Sequence, residues 1–118
     1  MPRCYTIYMK FSEYQEKATK TALYPKVAGH GWMYPALGLA NEAGEVNGKL
    51  KKVIRDNDGT IDEATQKEIS KELGDVLWYI AQLATELQIN LDEVAEANIN
   101  KLASRQERGV IGGNGDNR

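Results

Sequence analysis

The sequence is poor in the residues that build disulfide frameworks and zinc sites. Its 118 residues include one cysteine, Cys4, and one histidine, His30. A single cysteine excludes an internal disulfide and any zinc cluster based on several cysteines. Without a second histidine or a nearby cysteine, we expect His30 to be a loop residue rather than a metal ligand.

Long apolar runs and an excess of basic residues are also missing. No run approaches 18 apolar residues and no signal-peptide core is apparent, so we expect a cytoplasmic protein without a membrane partner. The formal charge is −2 and the isoelectric point is near 5.4, which disfavours duplex nucleic acid as a partner. The length fits one domain over residues 1–118, small enough that oligomerisation would help to stabilise it.

Hydrophobic periodicity and cap residues predict an all-α fold, a bundle of three long helices preceded by a shorter one. Ser12 and Gln15 form a candidate capping box for the first helix, and Thr60 and Glu63 form one for the third. Asn90 is a candidate cap for the fourth. The predicted helices run from Ser12 to about Leu23, from Pro35 to about Ile54, from Thr60 to about Leu87, and from Leu91 to about Arg108. The Asp-rich run at residues 55–59 lacks the spacing of a calcium loop and is predicted to be a turn.

Two short acidic motifs dominate the middle of the chain. They read Glu42-Ala43-Gly44-Glu45 and Glu72-Leu73-Gly74-Asp75. Carboxylates three residues apart lie roughly 60° apart around a helix, so each pair can reach one ion. The four acids border apolar stripes, which directs them toward the helix interface, where they must be paired or hold a cation. Hard oxygen ligands on facing helices predict a Mg²⁺ site, with Mn²⁺ as a possible substitute. The apolar residues of the two stripes are Leu39, Ala43, Val46, Leu50 and Val53, and Ile69, Leu73, Val76, Ile80 and Leu87.

The paired motifs, with a glycine inside each, resemble the all-α nucleoside triphosphate pyrophosphohydrolases, and the chain looks like a MazG-like nucleotide pyrophosphohydrolase. The resemblance runs from about Phe11 onward and includes Asn98 and Lys101 on the last helix. It implies Mg²⁺-dependent cleavage of a nucleoside triphosphate between its α and β phosphates. It also implies a homo-oligomer, dimer or tetramer, and contact of Asn98 and Lys101 with the phosphates.

Several assignments stay open at this stage. Either Glu42 or Glu45 is the candidate general base that activates water. Alternative substrates within the same architecture are dUTP and phosphoribosyl-ATP. The alternative from a different functional class is a non-enzymatic helical adaptor whose acidic faces are solvated.

Two further features are candidates for substrate contact. Trp32 and Tyr34, in a loop bounded by prolines, either stack on a nucleobase or anchor the loop to the core. The last helix carries a stripe that changes from apolar Leu91 and Val94 to polar and cationic residues. We expect Asn98 and Lys101 on this stripe to contact phosphates, with a salt bridge to Glu72 or Asp75 as the alternative for Lys101. Arg105, further along the stripe, either contacts phosphates or is a simple surface charge.

The two ends of the sequence have less definite signals. Residues 1–10 are interpreted as an N-terminal arm. The glycine-rich tail (residues 109–118) is predicted to be mobile, or ordered only by contact with another subunit.

Overall fold

Four α-helices make up the fold of residues 8–118, the part of the chain that the computed structural model describes. They are α1 (Phe11–Thr19), α2 (Met33–Asn57), α3 (Glu63–Glu86) and α4 (Leu91–Glu107). No β-strand occurs within residues 8–118, where one isolated bridge joins Val27 and His30. The predicted all-α class, with three long helices after a short one, is confirmed. Most of the interpreted N-terminal arm lies outside the described residues.

A tight turn folds α2 and α3 into an antiparallel hairpin. Asp58 ends α2 in the left-handed conformation with φ of 50°, and Gly59 follows with φ of 76°. Asp62 then caps α3, because its carboxylate accepts a hydrogen bond of 2.8 Å from the amide of Thr65. The turn is as predicted, but the capping box at Thr60 and Glu63 is wrong by two residues. An aspartate at Asp62 satisfies the free amides of the first helical turn and also suits the helix dipole.

Helix α2 begins two residues before the predicted start, and Pro35 lies buried inside its first turn. Proline is tolerated there because the first amides of a helix have no partner within the helix. The helix also runs three residues past Ile54, to Asn57.

Helix α1 ends at Thr19 rather than near Leu23, and its predicted capping box does not form. Lys10 occupies the cap position without a side-chain hydrogen bond. Gln15 is instead buried, where its amide donates to the carbonyl oxygen of Ile89 at 2.9 Å and accepts from the amide of Leu91 at 2.8 Å. It therefore joins α1 to the start of α4.

Small residues form the buried centre where α1 and α3 meet the start of α4. This cluster lets the helix backbones approach closely, and Tyr14, Trp78 and Ile80 pack around it. It consists of Ala18, Ala81, Ala84 and Leu91. Asn90 caps α4 as predicted, accepting from the amide of Asp92 at 2.9 Å.

Parts of the predicted apolar stripes are not buried in the single chain. Leu73 is 54% exposed, and Leu87 on α3 and Val94 on α4 are also exposed. Their assignment to the core of the chain is wrong, because α4 packs mainly on α1 and leaves the outer sides of the α2–α3 hairpin uncovered.

The glycine-rich tail folds back on α4 of the same chain, so the contacts it makes here are not with another subunit; its predicted mobility stays a prediction. Arg105 donates to the carbonyl oxygen of Asp116 at 2.8 Å, and Arg108 donates to that of Arg118 at 2.9 Å. The Arg118 side chain in turn donates to the carbonyl oxygens of Val110 and Ile111. The arginine side chains thus donate hydrogen bonds to backbone carbonyl groups of a segment that has no regular secondary structure.

Candidate metal centre

Three of the four predicted acids come together between α2 and α3. Glu42, Glu72 and Asp75 each offer a carboxylate oxygen, and these atoms all lie within 4.8 Å of one another. Within the described part of the chain, no other group of three His, Cys, Asp or Glu side chains meets this criterion. The helical hairpin produces the arrangement, since Glu72 and Asp75 share one face of α3 and this face packs against α2.

The three carboxylates repel one another, and the effect is strongest at Glu42. Desolvation is the main cause that raises the pKa of Glu42, followed by the charges of Asp75, Glu72 and Glu45 and a hydrogen bond with Glu72. A carboxyl group in this position favours either a proton or a cation. The site therefore has the electrostatic character of a cation-binding centre.

Glu45 lies next to this group without joining it. It is exposed, one helical turn after Glu42 on α2, and its charge contributes to the raised pKa of Glu42. Of the four predicted acids, three therefore converge, and Glu45 lies apart from them.

Lys49 is the cation that the chain itself places at this centre. Its ammonium nitrogen lies 3.4 Å from Glu72 and 3.5 Å from Glu68. Desolvation lowers the pKa of Lys49, but hydrogen bonds and the charges of Glu72 and Glu68 outweigh it and leave the pKa raised. Lys49 is not among the site residues predicted from the sequence. Its spacing of seven residues from Glu42, two helical turns, is the signal that places both on one side of α2.

Aromatic rings border the acids on the side of the loop before α2. Burial, followed by the neighbouring Tyr34 and then by Glu42 and Asp75, raises the pKa of Tyr79. Tyr34 lies 6.4 Å from Tyr79 between ring centroids and stacks on Tyr24 at 5.5 Å. Tyr79 was not identified from the sequence, although it follows Asp75 by four residues and so shares its helix face.

Gly38 allows Tyr79 to take this place. A Cβ atom at position 38 would lie 2.2 Å from the Tyr79 ring, a distance that no packed side chain tolerates. By contrast, a Cβ at Gly44 or Gly74, the glycines inside the acidic motifs, would meet nothing within 4 Å. Within the single chain, a side chain would therefore fit at either of these two positions.

The loop aromatics divide between two environments. Both rings are about equally exposed, Trp32 at 43% and Tyr34 at 42%. Tyr34 lies in the first turn of α2 and belongs to the cluster with Tyr24 and Tyr79, whereas Trp32 lies 5.9 Å from His30 between ring centroids. Trp32 also ends the loop, immediately before α2 begins at Met33.

The predicted phosphate contacts on α4 do not join the acids within one chain. Asn98 and Lys101 are exposed, and Lys101 forms its ion pair with Asp116 at 3.4 Å rather than with Glu72 or Asp75. Arg105 is only 4% exposed and binds the tail. The alternative salt bridge of Lys101 with the acidic motifs is therefore wrong.

The donor set fits a hard divalent cation. Three carboxylate oxygens from facing helices match the ligands that Mg²⁺ and Mn²⁺ prefer, and the exposed side of Asp75 leaves room for water or substrate oxygens. The ammonium of Lys49 beside Glu72 shows that the cluster already attracts positive charge.

Comparison with known proteins agrees with this architecture. A sequence model of the MazG nucleotide pyrophosphohydrolase domain matches residues 35–110, the span that holds both acidic motifs and α4. The Gene 37 protein of Mycobacterium phage L5 is 48% identical over 109 residues, which cover 89% of this chain and 96% of that protein. No solved structure gives a significant match. No helix within residues 8–118 is long and apolar enough to span a membrane. With its two acidic motifs on facing helices and the domain match over most of its length, the chain belongs to the MazG nucleotide pyrophosphohydrolase family.

Proposed function

We propose that this chain is a divalent-metal-dependent nucleoside triphosphate pyrophosphohydrolase. It would cleave a nucleoside or deoxynucleoside triphosphate between the α and β phosphates, giving a monophosphate and pyrophosphate. The observation that carries the proposal is the convergence of Glu42, Glu72 and Asp75 between two facing helices. Family membership supports the reaction class.

Each acid has a distinct part in this reaction. Glu42, Glu72 and Asp75 would hold Mg²⁺, or Mn²⁺ in its place. When bound, the ion supplies positive charge to the phosphate oxygens and lowers the pKa of a bound water. Glu45 lies outside the three converging carboxylates, so it is the better candidate to accept the proton of the attacking water. The water oxygen bonds to the α phosphorus, and the bond to the bridging oxygen breaks with pyrophosphate as the leaving group.

Positive side chains would neutralise the triphosphate. Lys49 is already beside Glu72, and once an ion neutralises that carboxylate it is available to a phosphate oxygen. Asn98, Lys101 and Arg105 are assigned to the phosphates as well. Because they lie on α4 away from the acids of their own chain, this assignment requires α4 of a neighbouring subunit.

The shape of the single chain supports a homo-oligomer, either a dimer or a tetramer. Its radius of gyration is 17.6 Å, whereas a compact domain of this length has about 13.5 Å. Its accessible surface is 9154 Å², against about 6,400 Å² for a folded monomer of this mass. The difference between these two surface areas is larger than the area that one partner buries in a stable protein interface, about 800 Å². A second copy of the chain, covering exposed leucines and isoleucines on α2, α3 and α4, accounts for it.

The base of the nucleotide would lie against the aromatic side of the centre. Tyr79 lies within the electrostatic influence of Glu42 and Asp75, Tyr34 neighbours Tyr79, and the exposed ring of Trp32 is available at the outer edge. Aromatic faces bind bases by stacking with little preference among them. The geometry therefore favours a nucleotide substrate without selecting one base.

Product analysis tests the proposal. Purified protein is incubated with each common NTP and dNTP, with Mg²⁺ or with EDTA, and the products are separated by anion-exchange chromatography. We expect monophosphate and pyrophosphate with Mg²⁺ only. Glu72→Gln should reduce turnover at least 100-fold, a loss of about 3 kcal/mol in transition-state stabilisation.

A matched control is Glu63→Gln, which removes an exposed acid of α3 that pairs only with Lys67. This variant should keep wild-type turnover. Full Mg²⁺-dependent turnover by Glu72→Gln would contradict the proposed site. If no nucleotide is hydrolysed and calorimetry detects no Mg²⁺ binding, the adaptor interpretation replaces this one.

A further inference from the structure

The C-terminal end of α4 holds a buried cation whose partners come from the glycine-rich tail. Arg105 is 4% exposed, and its terminal nitrogen donates to the carbonyl oxygen of Asp116 at 2.8 Å and lies 3.3 Å from the Asp116 carboxylate. The Nε atom of Arg105 is buried without a hydrogen-bond partner among the described residues. A guanidinium left with a free donor is an incomplete anion-binding fork, because its geometry suits two parallel hydrogen bonds to one oxyanion.

Lys101 completes the cationic group one helical turn earlier. Its ammonium lies 3.4 Å from the same carboxylate of Asp116. The two cations hold the pKa of Asp116 below its ordinary value, chiefly through the hydrogen bond from Arg105. One acidic side chain thus occupies the position between two cations where a phosphate group would fit.

We propose that Asp116 is an internal substitute for phosphate, so that the tail closes the Lys101–Arg105 site until a substrate phosphate displaces it. This proposal rests on the proposed function, which assigns these two cations to the triphosphate. The tail extends beyond residue 110, where the match to the family domain ends.

The tail is built to be released. The side chain of Asp116 is 85% exposed, so water competes for its carboxylate and weakens its ion pairs. Gly113 and Gly115 precede it with φ of 93° and 86°, a backbone region that glycine adopts at little cost. Arg118 binds the carbonyl oxygens of Val110, Ile111 and Gly115, which lets the tail keep its own loop when Asp116 leaves Arg105.

Binding of pyrophosphate to the full chain, measured by isothermal titration calorimetry in EDTA, tests the proposal. Asp116→Asn keeps the size of the side chain and the backbone carbonyl contact, but removes the competing charge. We expect this variant to bind pyrophosphate two- to fivefold more tightly than wild type, the range for loss of a competing exposed ion pair. Lys101→Met combined with Asp116→Asn should lose most of that gain.

Nuclear magnetic resonance gives a second readout that a purely structural tail would not change. Pyrophosphate should shift the backbone amide signals of residues 112–117 in the wild type. The matched control is Asp56→Asn, which breaks an exposed pair with Arg55 at 2.8 Å on another helix and should leave pyrophosphate affinity unchanged.

Unchanged or weaker pyrophosphate binding by Asp116→Asn, or tail amides that do not respond to pyrophosphate, would overturn the proposal. Its failure is separable from that of the proposed function. If nucleotides are hydrolysed but pyrophosphate binding and the tail amides do not change as expected, only the tail proposal fails. If those changes are seen but no nucleotide is hydrolysed, only the assignment as a hydrolase fails.

Discussion

At the scale of single residues, Glu42 illustrates the electrostatic repulsion among the acids of this site. It lies partly buried beside Asp75 and Glu72, and their charges together with desolvation raise its pKa. In the metal-free protein, ionised Glu42 therefore opposes folding. A bound cation converts the same arrangement into a favourable one.

We predict that Glu42→Gln stabilises the metal-free protein at pH 7. The folded-state pKa of Glu42 is raised above its unfolded value, so wild type has its full stability below the unfolded pKa and loses part of it as pH rises through the folded pKa. The Glu42→Gln variant does not lose this stability, because its side chain does not ionise. Urea unfolding in EDTA should show the variant more stable than wild type at pH 7 and the two equal near pH 4.

Addition of Mg²⁺ should reverse the order at pH 7, because only wild type keeps the ligand and binding stabilises the folded state by mass action. Glu63→Gln is the control and should follow wild type at each pH. An unchanged stability difference between pH 4 and pH 7 would contradict the repulsion described for Glu42.

At the scale of helices, one polar side chain connects three elements. Gln15 of α1 hydrogen bonds to Thr85 near the end of α3, to Ile89 in the connection, and to Leu91 at the start of α4. It supplies an acceptor to a helix amide that has no partner in α4 itself. The packing of α1 and the start of α4 therefore depend on the same residue.

Gln15→Ala should lower the free energy of unfolding by about 2 kcal/mol, because it leaves the Leu91 amide and the Ile89 carbonyl without a partner. Chemical denaturation followed by circular dichroism measures the change. Gln66→Ala, at an exposed position of α3, should change stability little or raise it slightly, since alanine is the better helix former. Equal effects of the two substitutions would show that the Gln15 hydrogen bonds contribute nothing.

The elements that the sequence predicts well are those whose signals are local. Helical periodicity and the cap at Asn90 identified the start of α4, because one side chain and one amide determine that boundary, and periodicity placed its end within one residue. The capping box at Ser12 and Gln15 failed, since Gln15 forms tertiary hydrogen bonds that the local pattern does not contain. Convergence of Glu42, Glu72 and Asp75 follows from spacing and hairpin geometry. The pairing of Lys101 with Asp116 does not, because it depends on the path of an irregular tail.

At the scale of the whole molecule, apolar side chains on α4 remain exposed in the part of the chain that the structure describes. Ile99 is 65% exposed and Leu102, three residues later on the same helix face, is also exposed. Together with the expanded shape of the chain, these residues define a face that a second copy would bury.

We predict that the wild-type protein is an oligomer in sedimentation-velocity experiments, and that replacing both Ile99 and Leu102 by Glu shifts it toward monomer. Charges on a buried apolar face carry a desolvation penalty that association must overcome. Leu23→Glu, at a 93% exposed residue in the turn after α1, should leave the oligomer intact. A monomeric wild type would contradict both the shared interface and the supply of Lys101 from a neighbouring subunit.

The tight turn between α2 and α3 has a consequence for the order of folding. All three converging carboxylates belong to one hairpin, whose connection spans only residues 58–62. Local contacts form early because closing a short loop costs little chain entropy. The cation site can therefore assemble before α1 docks or subunits meet, so a divalent ion present during refolding would act on the nascent hairpin and not only on the finished protein.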